Sequence, residues 1–216
     1  MLTMLEEVVL LAVDERTGNL RSTREFGTAY ALVGAVFFDL ALARRIDTDT
    51  ETIHVIDTSP TGNATLDRVL AEMARQPNLT TARQWIEQIF LHRQDLEGEA
   101  LLSLIESGVL RHEKSKLLWI IDLERFPLVN DVPQQYVKTR LAHAILTDDI
   151  PDTRDIMLVS IAEPCGLLPY VLAADQIEAR KDRIRMLSHL ETISRKVADA
   201  IRGLDSNMRQ AVTKVM

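Results

Sequence analysis

Residues 28–43 read TAYALVGAVFFDLALA, with one charge, Asp39, and apolar side chains at almost every other position. The length predicts a helix rather than a strand. A helix apolar on all sides has no face to turn to water, so it belongs at the centre of a fold with other elements packed around it. Ala31, Leu32, Val36 and Leu40 are therefore expected to be buried, and Gly34 is a candidate for close helix approach. The same run is no membrane span. Its uncharged stretch, 26–38, is shorter than the roughly 20 apolar residues that a bilayer requires, and Asp39 closes it.

The rest of the chain supplies the surrounding layer. With 216 residues, 46% of them apolar and 26% charged, it can bury a substantial core. An opening helix is expected over 3–11, running into a strand at 10–13 and a turn in which Gly18 or Asn19 takes a positive φ. Residues 45–47 and 52–56 read as a short hairpin. Helices are expected from Ala64, with Leu66, Val69, Leu70 and Met73 inward; after the capping box of Thr81 and Gln84; over 96–107; over 131–146, opened by Asp131 and Pro133; and over 152–161. Residues 109–121 read as strand, charged turn, strand, a wing-like hairpin. From Asp175 onward one or two helices are expected, jointed near 203–207. The fold class is mostly α: a single helical domain over 1–216 with a buried central helix and two or three small β-hairpins.

Chemical motifs are scarce. The single cysteine, Cys165, forms no internal disulfide and reads as a packed thiol. The five histidines show no i,i+4 pair and no HExxH, so no metal is expected. No Gly-x-Ser-x-Gly, Walker A loop or GxGxxG occurs, and no catalytic residue, nucleotide or other cofactor is expected. Net charge is −7, and residues 1–175 are acidic while 176–216 carry nine Lys+Arg against five Asp+Glu. The acidic body disfavours nucleic acid. So does the helix before the wing-like hairpin, which holds Glu97, Glu99 and Glu106 and no Lys or Arg. Glu6 and Glu7 stand where a secretory leader would carry cations, which points to a cytoplasmic protein.

Several segments, in order, resemble one family. These are Leu2-Thr3-Met4-Leu5-Glu6-Glu7-Val8-Val9-Leu10-Leu11; Gly18 in a first turn; Gly34 to Leu42 with Asp39-Leu40-Ala41-Leu42; Pro60-Thr61-Gly62 with Leu66-Asp67; Gln84-Trp85-Ile86-Glu87; Leu104 to Leu110; and Phe126-Pro127-Leu128. Together they resemble the Golgi phosphoprotein 3 family, bacterial members included. The resemblance implies a mostly helical domain, no enzymatic activity, and a peripheral adaptor that binds phosphatidylinositol 4-phosphate on the cytoplasmic face of a membrane. The family's lipid pocket uses one Trp and three Arg. Those positions fall here on Thr23 or Arg24, on Val33, and on Gln94 and Glu97, so none of the four is retained. Arg21, Arg24 and Arg93 lie nearby and are the candidate head-group residues. The expected partner is an anionic membrane lipid held mainly by charge; the alternative is a soluble helical interaction module without lipid binding.

Overall fold

The computed structural model describes residues 2–21, 26–49, 52–117 and 121–213. In chain order, α1 (Met4–Ala12) and α2 (Gly27–Leu42) precede a hairpin of β1 (Ile46–Thr48) and β2 (Ile53–Val55). Then come α3 (Ala64–Arg75), α4 (Ala82–Phe90) and α5 (Arg93–Glu106), followed by β3 (Glu113–Leu117) and β4 (Ile121–Arg125). The C-terminal part holds α6 (Val132–Leu146), α7 (Thr153–Ala162), a 3-10 turn at Leu168–Tyr170, α8 (Ala174–Ala179), α9 (Lys181–Leu187) and α10 (Thr192–Thr213). The chain is mostly α, and its two antiparallel hairpins are the only multi-residue sheets among the described residues.

α2 is the central helix. It touches α1, α3, α4, α5, α7 and α10, and Ala31, Leu32, Val36 and Leu40 are all completely buried. Gly34 is where two neighbours come closest: a Cβ there would lie 2.9 Å from Ile161 Cγ2 on α7 and 3.2 Å from Val197 Cγ1 on α10. The apolar circumference of this helix therefore does what its sequence predicts, and six helices cover it.

α1 is held at both ends by side chains far away in sequence. At its start Thr3 and Glu6 form a capping box. Beyond that, the Asp39 carboxylate on α2 accepts from Met4 N–H at 3.0 and 2.9 Å and from Leu5 N–H at 3.3 Å. At its end the Asp14 N–H turns away to Asn19 O, which leaves Leu10 O without its helical donor. The buried Gln134 side chain on α6 supplies the replacement, donating to Leu10 O at 2.6 Å and Val13 O at 2.9 Å. The strand expected at 10–13 is therefore helix up to Ala12; only Val13 pairs, in an isolated bridge with Leu20.

The turn after α1 follows the sequence. Gly18 has φ +68°, and an added Cβ would meet Pro127 N at 2.6 Å, so glycine is required twice over. The second hairpin lies further along than expected. Residues 113–116, read as a charged tip, form β3 instead, with Lys114 opposite Glu124 and Lys116 opposite Asp122. Opposite charges across two strands, as at Lys114 and Glu124, 3.2 Å apart, suit a ladder; residues 118–120 lie outside the described residues. At the C-terminus the breaks come at Arg180 and at 188–191, while α10 runs through Gly203 without the expected joint.

Candidate functional site

Two of the candidate arginines, Arg21 and Arg93, have contacts near the start of α2. Phe26 is the N-cap of α2, with left-handed backbone (φ 61°) and no side-chain cap. Two residues on, Thr28 Oγ1 donates to Arg21 O at 2.9 Å. From the other side, the Arg93 guanidinium lies 5.9 Å from the Phe26 ring centroid and 4.6 Å from that of Phe90. Tyr30, one turn into α2, stacks on Phe90 with centroids 4.6 Å apart. The structure thus brings Arg21 and Arg93 to the first turn of α2; Arg24 and Thr23 lie outside the described residues.

The two arginines are in different electrostatic states. Arg21 is spent: its Nε donates to Asp14 Oδ2 at 2.7 Å, its Nη2 closes a second bond to the same oxygen, and its guanidinium lies over Tyr170. Those bonds, helped by the Thr17 N–H, hold the Asp14 carboxyl far below the usual carboxylate range. Arg93 instead donates to Phe90 O at 3.2 Å, and among the described residues no carboxylate lies within ion-pair distance of it. Arg93 rests on an aromatic shelf, a cation–π contact of about 0.5–1 kcal/mol at an exposed site, beside Leu91, which is 68% exposed.

The other positions at which the resemblance places the lipid pocket are not cationic here. Val33 is fully buried inside α2. Gln94 and Glu97 line a groove of about 900 Å³ with Leu20, Leu101, Leu102 and Phe126. Burial pushes the Glu97 carboxyl up, and a carboxylate there opposes a phosphate. At the far rim His112 stacks on Phe126 with centroids 5.2 Å apart and faces Glu124 at 3.5 Å.

Sequence reasoning missed a second charged cluster, under the start of α1. Glu7 is 2% exposed. Its Oε1 accepts from Arg140 Nη1 at 3.0 Å and Arg154 Nε at 3.2 Å. Arg140 also binds Asp155, and Arg154 also donates to Leu2 O at 2.8 Å. Burial acts to lower the Arg140 pKa, but the hydrogen bonds to Asp155 and Glu7 outweigh it and hold the group above its ordinary value. The partners are 133 and 147 residues apart in the chain, so no local pattern announces them.

No helix among the described residues is long and apolar enough to cross a membrane. A family model described as Golgi phosphoprotein 3 (GPP34) matches residues 4–204. Vacuolar protein sorting-associated protein 74 of Eremothecium gossypii is 27% identical over 214 aligned residues, covering 83% of this chain. The chain spans 64% of the length of that curated relative.

Proposed function

Because this chain belongs to the Golgi phosphoprotein 3 family, we propose that it is a non-enzymatic adaptor that rests peripherally on an anionic lipid surface through the N-terminal end of α2. The observation that carries the reading is the state of Arg93: a cation on the rings of Phe26 and Phe90 with no carboxylate at ion-pair distance among the described residues, two residues after the exposed Leu91. Aromatic and aliphatic groups around a cation suit the boundary between head groups and acyl chains. The similarity to a protein named for vacuolar protein sorting supports an adaptor's role in membrane traffic. Arg24 is proposed to add to the same surface. Arg21 contributes little while Asp14 holds it.

This surface binds charge rather than a particular head group. Cations near an anionic membrane contribute about 1 kcal/mol each, and Glu97 works against a closely held phosphate. The test is co-sedimentation with vesicles of phosphatidylcholine alone, with phosphatidylserine, or with phosphatidylinositol 4-phosphate at matched surface charge. The expected result is binding to both anionic mixtures alike, abolished at high salt, since the Debye length shrinks from about 10 Å at 0.1 M to about 3 Å at 1 M. Arg93→Glu exchanges an attraction for a repulsion of similar size and lowers partitioning more than tenfold. Binding no better than to phosphatidylcholine favours the soluble interaction module. Selective binding that survives 1 M salt places the head group on other residues.

A further inference from the structure

A pocket of about 400 Å³ opens between the start of α1, the N-terminal turn of α6 and the start of α7. It lies at the Glu7 cluster, away from the first turn of α2, and owes nothing to the lipid reading. Its walls are apolar: Leu2, Pro133, and the side chains of Val132 and Tyr136, which are 67% and 61% exposed. Its floor is charged, formed by Glu7, Arg140 and Arg154, with Asp152 at the side.

The floor has one unmet demand. Glu7 Oε1 takes both arginines, but Glu7 Oε2 is buried and has no hydrogen-bond partner among the described residues. Leaving a buried acceptor unpaired forfeits the hydrogen bonds it would make in water. The surrounding charge has the same sign. Both guanidiniums already face carboxylates: Arg140 binds Glu7 and Asp155, and Arg154 binds Glu7 and stands 3.9 Å from Asp39. With Asp152 beside them, acids outnumber bases four to two. The spare capacity is therefore for a cationic hydrogen-bond donor, not for an anion. Among the described residues no group of three or more His, Cys, Asp or Glu is placed to hold a metal ion.

We propose that this pocket binds a primary ammonium group on a short aliphatic chain, the ammonium donating to Glu7 Oε2 and the chain lying against Leu2, Pro133 and Tyr136. The volume is within the range of small-ligand sites. A free alkylamine and a lysine side chain of a protein partner share this chemistry. The chain would cover Val132 and the outer side of Tyr136, whose ring already carries the Arg140 guanidinium 5.2 Å from its centroid.

Titration calorimetry with n-hexylammonium chloride at neutral pH tests this. Saturable binding is expected, at least tenfold weaker for n-hexanol, which lacks the charge, and for hexyltrimethylammonium, which lacks the N–H. Glu7→Gln should erase the preference for ammonium over alcohol. Tyr136→Ala, at an exposed position that leaves the core intact, should weaken hexylammonium several-fold and decides the matter if Glu7→Gln does not fold. N-acetyl-lysine methylamide binding as well as hexylammonium assigns the site to a partner's lysine; binding by the free amine alone assigns it to a small molecule. Equal binding of hexanol, non-saturable binding, or indifference to Tyr136→Ala overturns the proposal.

Discussion

Asp39 is the one carboxyl group inside the apolar helix. Burial pushes its carboxyl up to about 6, against the opposing pull of the Met4 and Leu5 N–H groups and Arg154. The folded protein therefore holds this proton more tightly than the unfolded chain does. The resulting stabilisation is complete below about pH 4, is lost by about 1.4 kcal/mol per unit as pH rises to about 6, and is flat above. Glu97, also raised by burial, adds to the same slope. The depressed carboxylates Asp14, Glu15, Asp57 and Asp67 act oppositely, removing stability as pH falls below their unfolded values. Urea unfolding should thus show stability rising from pH 7 to pH 5, and Asp39→Asn should flatten that rise; an unchanged slope in the variant refutes the assignment. Gly34 gives a second residue-scale expectation. Alanine gains up to about 1 kcal/mol of helix propensity but forces stiff β-branched neighbours apart, at a cost of about 1–3 kcal/mol. A net loss of about 1–2 kcal/mol on denaturant unfolding is expected, and a stabilised Gly34→Ala would mean that α7 and α10 yield easily.

At the scale of elements, local signals were legible wherever the chain's own neighbours decide the outcome. The capping box at Thr81 and Gln84 opens α4 as expected, and Leu66, Val69, Leu70 and Met73 form the buried stripe of α3. Where distant partners decide, the signals mislead. The charges of 113–116 mark a turn only until Glu124 and Asp122 are seen opposite them. Leu10 to Val13 looks extended until Gln134 is found capping a helix there. That cap is testable. Gln134→Leu keeps the volume but leaves Leu10 O and Val13 O buried without a donor, at about 1–3 kcal/mol each. A loss of about 2–4 kcal/mol is expected on chemical denaturation, with faster amide exchange around the last turn of α1. A loss under about 0.5 kcal/mol would show that those carbonyls are satisfied another way.

Taken as a whole, the molecule surrounds one apolar helix, and that much followed from residues 28–43 alone. Of the candidate arginines, Arg93 lies on the Phe26 ring at the start of α2, and Arg21 touches that turn only through its carbonyl. What sequence left hidden was their inequality: Asp14 neutralises one, and Phe26 and Phe90 merely support the other. The Glu7 cluster was hidden more deeply, because α6 and α7 bring its arginines from the far half of the chain. The clamp on α1 has a consequence in time as well as in space. During synthesis α1 emerges well before Gln134, which lies 124 residues beyond Leu10. The ribosome must deliver well over half of the chain before that end can be closed. Until then the last turn of α1 has no donor for Leu10 O, and the clamp can close only after α6 has been made.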